Sequence, residues 1–240
     1  TFFCLIRCRD YFLGNLVGQY CTRFLFLLCG PPTMEKKGPS SFESTLAEAC
    51  NRIQEVQKIG GQLLILTGAG MSVSSGVPVF RNKDGSMSSD FVKFLSAFNQ
   101  ARAQNNLPEV TDWFHFSMPH MFRKETAKPA WAYWRWRTLR ALVKPAHDYD
   151  LLMKLVAYFG PAKSFAITSN CDSLHVQAGM PAANVEEIHG SLCRLQCSEK
   201  CSETLFPVDA TFLKRLEEEP DWVPQCPACK VCCLRPNVMI

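Results

Sequence analysis

The sequence predicts an α/β fold, a largely parallel sheet with helices on its faces, joined to a small cysteine-rich module. Three observations predict it. Residues 63–66 are a short continuous apolar run, too brief for a helix, and read as a buried parallel strand, with 164–168 as a second buried strand and 185–188 as a third. Segments of helical periodicity separate them, so strands alternate with helices. From residue 192 to residue 231 the texture changes to cysteine, proline and charge, as an inserted module would.

The bulk properties agree. A chain of 240 residues can bury the core of one large domain with a small appended one. With 47% hydrophobic and 20% charged residues it has the composition of an ordinary globular protein. A net charge of +4 is too mild to indicate nucleic acid, and no direct nucleic-acid partner is expected. Of 13 cysteines, Cys4, Cys8, Cys21 and Cys29 precede Met34, and six crowd between Cys197 and Cys233. Paired cysteines late in an α/β chain read as metal ligands in a reducing compartment, not as a secreted disulfide framework. The expected localisation is therefore intracellular, with cytoplasm, nucleus and mitochondrion left open.

Taken in order, the first 33 residues show no amphipathic period, and their apolar run, 24–29, is far short of the ~20 residues that span a bilayer. No membrane span is expected. The run also fits the end of a signal h-region or part of a transit peptide. Residues 1–38 are read as an extension outside the fold, with Pro31-Pro32 and Lys36-Lys37-Gly38-Pro39 as linker. Ser40 and Glu43 resemble a capping box, and Leu46, Cys50, Ile53 and Gln57 recur at helical spacing until Gly60-Gly61. Further helices are expected near 90–102, 129–143 and 148–158. The helix over 129–143 carries Trp131, Trp134 and Leu142 on one face, with Arg137 and Arg140 elsewhere. Rings and cations together can make a nucleic-acid surface, but a core helix with a solvated basic side is the better reading.

Strand 63–66 runs into Thr67-Gly68-Ala69-Gly70-Met71-Ser72. Small residues after a buried strand let the backbone turn tightly and approach a pyrophosphate, whose charge amide N–H groups and a helix N-terminus can meet. Gly-Ala-Gly alone equally describes a tight turn. Strand 164–168 ends in Thr168-Ser169-Asn170-Cys171-Asp172, where an open α/β sheet places ligand-binding groups, although Asp172 could simply cap the next helix. Strand 185–188 leads into His189-Gly190, and an imidazole can accept a proton at neutral pH. His147 and His175 are weaker candidates, with packing or capping roles, and His115 and His120 read as surface residues. Cys197 and Cys201, then Cys226 and Cys229, form two pairs separated by 24 residues, 202 through 225. Two such knuckles can close a tetrahedral four-cysteine zinc site with no open position, which is structural and not catalytic. Cys232 and Cys233 are adjacent, so neither makes a knuckle, but one could replace a lost ligand.

In order, these phrases resemble those of the sirtuins. The loop continues as Gly76-Val77-Pro78-Val79-Phe80-Arg81, matching that family's glycine-rich NAD phrase except at Val79, where most members have Asp. Thr168-Ser169-Asn170-Cys171-Asp172 with Leu174-His175 and Ala178-Gly179 matches T-Q-N-x-D-x-L-H-x-x-A-G except at Ser169. The T-S-N form, with an aromatic helix before it, resembles a bacterial-type subgroup. Ile188-His189-Gly190 matches the phrase that carries the catalytic base.

The resemblance covers about 46–240 and implies a Rossmann-like sheet for 39–196, a zinc-binding module for 197–231 and a return strand for 232–240. It implies NAD and zinc as cofactors and an acylated lysine of a protein, histones included, as substrate. Gly68, Ala69, Gly70, Ser72, Phe80, Arg81, Ser169, Asn170 and Asp172 would then line the NAD site. Phe80 would shield the reacting sugar carbon, Arg81 would belong to the cofactor loop, and Asn170, Asp172 and His189 would be catalytic. The products would be nicotinamide, O-acyl-ADP-ribose and free lysine. ADP-ribosyl transfer, NAD hydrolysis and an inactive zinc-bearing interaction module are the alternatives. Residues 234–240 resemble the strand that returns from the zinc module to the sheet. On that reading the sheet is incomplete at its C-terminus and this chain is a weak NAD binder.

Overall fold

A computed structural model describes residues 4–6, 24–28, 42–79, 82, 84–111 and 118–238. In chain order the elements are β1 (Cys4–Ile6), β2 (Phe24–Leu28), α1 (Phe42–Lys58), β3 (Gln62–Thr67), α2 (Gly70–Val73) and α3 (Ser89–Gln104). There follow α4 (Ala127–Ala141), α5 (His147–Phe159), β4 (Ser164–Thr168), α6 (Leu174–Gln177) and β5 (Val185–Glu187). Then come β6 (Gly190–Cys197), β7 (Phe206–Pro207), α7 (Ala210–Glu218) and β8 (Leu234–Val238). The chain divides into two units. One comprises Thr1–Ser74, Pro145–Ser169 and Leu174–Ile188, the other Ser75–Lys144, Asn170–Ser173 and His189–Ile240.

The first unit holds a five-stranded sheet in the order β1-β2-β3-β4-β5. Strands β2 to β5 run parallel and β1 is antiparallel at the edge. Leu63, Ile65 and Ala166 share one face and are almost fully buried, whereas Phe165 on the other face is 37% exposed, so one face carries the denser packing. Helix α5 buries Tyr149, Leu152, Val156 and Phe159, a stripe repeating every three or four residues. Gly160 ends it at φ 93°, a conformation that suits glycine, and its N–H closes on the Val156 carbonyl at 2.9 Å. Helix α1 stops in the same way: Gly60 has φ 71°, its N–H donates to the Gln57 carbonyl at 3.0 Å and the Gly61 N–H to the Val56 carbonyl at 2.8 Å. A Cβ at Gly61 would lie 2.4 Å from Val56 Cγ1, so this turn also has no room for a side chain at Gly61.

Two of the five strands come from the segment read as an extension outside the fold. Phe24–Leu28 pairs in parallel register with Gln62–Leu66 of β3, and Cys4–Ile6 pairs with β2. The run that is too short for a bilayer is the right length for a strand, and a neighbouring strand supplies the partners its backbone needs. The capping residue Ser40 lies outside the described residues, as does His115.

The second unit holds the antiparallel sheet β7-β6-β8 and helices α3, α4 and α7. Its core is aromatic. Phe91 meets Tyr133 edge-to-face at 5.6 Å, and Trp131, Tyr133 and Trp134 are each 2% exposed. The expected solvated basic side of α4 is only partly present. Arg137 is buried and its Nη1 donates to the Pro78 carbonyl. Arg135 donates from Nε to the Leu216 carbonyl and from Nη2 to that of Glu217 at 2.9 Å. These are the last carbonyls of α7, which have no partner within the helix, so the guanidinium caps it. Arg140 and Lys144 remain exposed. Among the described residues, no helix is long and apolar enough to cross a membrane.

Candidate cofactor and metal sites

In the first unit the ends of three parallel strands fall in one row. Thr67 pairs with Thr168, and Thr168 pairs with Glu187. The row continues one residue further. Ser169 N–H donates to the Thr67 carbonyl at 3.1 Å, and Ile188 N–H to that of Thr168 at 3.0 Å. The glycine loop, the Thr-Ser-Asn segment and Ile188-His189 therefore each follow the C-terminal end of a strand in this row, the edge where open α/β sheets bind ligands.

The glycine loop follows β3. Gly68 touches Ser169, since a Cβ at Gly68 would lie 3.2 Å from Ser169 Oγ. A Cβ at Gly70 would meet nothing within 4 Å, so a phosphate could approach this backbone closely. The helix that follows is a single turn, Gly70–Val73. The Met71 and Ser72 N–H groups are engaged with the Gly68 and Ala69 carbonyls at 2.9 and 3.2 Å. Little macrodipole can build up in one turn, so a phosphate placed here would meet individual backbone groups and open space rather than a helix field. Ala69 is exposed, and Phe80 and Arg81 lie outside the described residues.

Ser72 is 3% exposed, and its Oγ shares a 3.1 Å hydrogen bond with the Tyr149 hydroxyl of α5. The Tyr149 ring stands edge-on to His175 at 5.2 Å, and His175 Nε2 is 3.0 Å from Thr67 Oγ1. His175 is thus a buried packing residue, as expected. Tyr149 was not singled out from the sequence. A tyrosine at a core position of an amphipathic helix gives no local sign that its hydroxyl reaches a loop 77 positions earlier.

The second unit contains Asn170, Asp172 and His189. Asn170 is 7% and Asp172 4% exposed, so both are buried polar groups on an irregular segment. That segment is held by the Cys171 carbonyl, which accepts from Leu192 N–H at 2.7 Å, and by Ser173 Oγ, 2.9 Å from Ser191 Oγ. Ser173 has φ 58°, a turn conformation that redirects the chain into α6. His189 is half-buried. The next residue, Gly190, has φ 81°, and a Cβ there would come within 1.9 Å of the Asn237 carbonyl oxygen. His189 is therefore anchored by a glycine packed directly against β8.

The four paired cysteines also converge in the second unit. The sulfurs of Cys197, Cys201, Cys226 and Cys229 all lie within 4.8 Å of one another. Cys197 and Cys229 are 4.0 Å apart and Cys201 and Cys226 3.6 Å. A tetrahedral zinc with Zn–S bonds of about 2.3 Å needs sulfurs about 3.8 Å apart, so this set fits the ion. Hydrogen bonds already favour one thiolate. The Cys229 thiol is pushed down to about 6, first by the Cys232 backbone N–H and then by that of Val231. Thiol–thiol hydrogen bonds, led by the one with Cys197, push Cys201 up to about 12.

Comparison with known proteins decides the family. The family model described as Sir2 family matches residues 68–240. The chain belongs to the Sir2 family. An NAD-dependent protein deacylase of Pyrococcus furiosus is 30% identical over 188 residues, covering 77% of this chain and 64% of the relative. A solved Sir2 homologue mutant in complex with 2'-O-acetyl ADP ribose is 26% identical with a TM-score of 0.52, covering 78% of this chain and 62% of that one. A solved Sir2–p53 peptide–NAD+ complex is 26% identical with a TM-score of 0.52, covering 81% and 64%. The chain therefore spans less than two thirds of the length of these relatives. In Sir2 terms the Rossmann-like sheet is the first unit, and the four-cysteine cluster belongs to the second.

Proposed function

We propose that this chain carries the active-site phrases of an NAD-dependent protein lysine deacylase. The observation that carries the reading is the row Thr67, Thr168 and Glu187, from which all three phrases depart in one direction. NAD would be consumed, supplying a ribose carbon with nicotinamide as its leaving group and accepting the acyl group as O-acyl-ADP-ribose. Gly68, Ala69 and Gly70 bring backbone against its phosphates, with Ser72 and Ser169 beside them. Phe80 and Arg81 would complete this cofactor loop. Asn170 orders the ribose and a water, and Asp172 holds the nicotinamide amide. A buried carboxylate and amide are fixed dipoles in a dry setting, where they act on developing charge more strongly than in water. His189 takes the proton of a ribose hydroxyl as that oxygen attacks the acyl carbon.

Zinc held by Cys197, Cys201, Cys226 and Cys229 has four protein ligands and no open position, so it stabilises the module and leaves the chemistry to other groups. The substrate would be an acylated lysine in a protein segment, histones being one class to try. An intracellular, reducing setting belongs to the same proposal and is supported by a site that needs reduced thiols. The test is an assay of the chain with NAD and acetyl- and long-acyl-lysine peptides. Equal yields of nicotinamide and deacylated peptide support the reading. Nicotinamide release without deacylated peptide would reassign the chain to NAD hydrolysis or ADP-ribosyl transfer. NAD binding without turnover would leave an interaction module.

A further inference from the structure

We propose that Ser191 is a positioning residue that sets where the Asp172 carboxylate stands. The inference rests on the deacylase reading above, in which Asp172 holds the nicotinamide amide. Asp172 is 4% exposed and belongs to no helix or strand. Two hydrogen bonds bracket it instead. On one side the Cys171 carbonyl accepts from Leu192 N–H at 2.7 Å, and on the other Ser173 Oγ lies 2.9 Å from Ser191 Oγ. Both partners are consecutive residues of β6, so one short stretch of strand grips the chain before and after the carboxylate.

The grip is seated on regular structure. Ser191 pairs with Asn237 across β6 and β8, is buried, and its Oγ accepts from Cys193 N–H at 3.2 Å. That bond engages one lone pair, and the hydroxyl meets Ser173 with what remains. Ser173 has φ 58°, a conformation uncommon for a residue with a side chain, which persists only where surrounding contacts hold it. A carboxylate that must meet an amide at hydrogen-bond distance tolerates little drift, and a displacement of about 1 Å is enough to weaken the contact. The His189 side does not depend on this hydroxyl, because Gly190 is packed against the Asn237 carbonyl. Removing the Ser191 hydroxyl therefore loosens Asp172 and leaves the base where it is.

The test uses the full chain with NAD and an acetyl-lysine peptide. Nicotinamide leaves in the first step and can return, so uptake of labelled nicotinamide into NAD reports on the group that Asp172 holds. Ser191→Ala should raise the KM for nicotinamide in this exchange by about 2- to 10-fold, the range that one net hydrogen bond supports. The KM for peptide and the kcat should stay within about twofold, the mark of lost binding rather than of less folded protein. Ser173→Ala should raise the same KM, and the double variant no more than the worse single one, because both remove one contact. Amide hydrogen exchange gives a readout without turnover. The Leu192 amide should exchange faster in Ser191→Ala, while that of Cys197, at the far end of β6, should not. A fall in kcat at unaltered nicotinamide KM would make Ser191 merely structural and overturn the inference. Effects of the two serines that multiply in the double variant would overturn it too, as would unchanged exchange at Leu192. An unaltered chain that neither takes up nicotinamide nor deacylates the peptide would overturn the deacylase reading and this inference with it.

Discussion

The indole Nε1 of Trp131 donates a 2.8 Å hydrogen bond to the carbonyl oxygen of Leu234, 103 positions later in the chain. Trp131 belongs to α4 and Leu234 opens β8, the strand that leaves the cysteine cluster, so one side chain ties the aromatic core to the metal module. The bond is buried, where a lost donor leaves a carbonyl unsatisfied. Trp131→Phe keeps most of the ring volume and removes the N–H, and should cost about 1–3 kcal/mol in urea unfolding. Trp131→Ala also opens a cavity and should cost about 3–5 kcal/mol. Equal stability of Trp131→Phe and the parent would show that the bond contributes nothing.

Metal removal should act on the second unit. A four-thiolate site supplies folding free energy to a segment whose own core is small. Chelation, or Cys226→Ser, should therefore release zinc and lose the ordered signals of β6, β7 and β8 in NMR spectra. Well-folded protein that contains no zinc by elemental analysis would contradict this.

Replacing His189 by Ala should abolish release of deacylated peptide while leaving NAD affinity within a few-fold. The ring is half-buried, and the backbone beside it is set by Gly190, so the loss is one of proton transfer and not of fold. Turnover close to that of the parent would place the base elsewhere.

Two glycines should separate binding from stability. A Cβ at Gly190 meets a backbone oxygen at 1.9 Å and requires φ 81°, so Gly190→Ala should destabilise by about 3 kcal/mol or more. A Cβ at Gly70 meets nothing within 4 Å, and alanine suits a helical position, so Gly70→Ala should leave the melting temperature unchanged or slightly raised. Its methyl would stand where a phosphate must come close. NAD affinity measured by calorimetry should drop at least roughly tenfold, about 1.4 kcal/mol. Unchanged affinity would remove Gly70 from the cofactor site.

Tyr149→Phe should cost about 0.5–1.5 kcal/mol, the usual net value of one buried hydrogen bond. Its effect on catalysis should appear as a raised KM for NAD with little change in kcat, because Ser72 loses its tether to α5 while the reacting groups keep theirs. A fall in kcat with KM unaltered would point to a different role for the pair.

Much of this protein is determined by its sequence alone, because the signals are local. The bounds of β4, the strand and loop around Gly68, and the cysteine spacings follow from periodicity, turn chemistry and ligand geometry within a few residues. The convergence of Cys197, Cys201, Cys226 and Cys229 was legible for the same reason, since two short knuckles must meet to satisfy one ion. Other features depend on contacts between distant segments, and only the tertiary structure decided them. Residues 24–28 look like a stray apolar run until β3 offers them a backbone to pair with. Arg135 and Arg137 look like solvent-facing cations until carbonyls of α7 and Pro78 come within reach of their guanidinium groups. Tyr149 reads as core until its hydroxyl meets Ser72. In each case the side chain or backbone group has an unmet hydrogen-bonding or ligating capacity, and a linear sequence does not say which distant partner meets it.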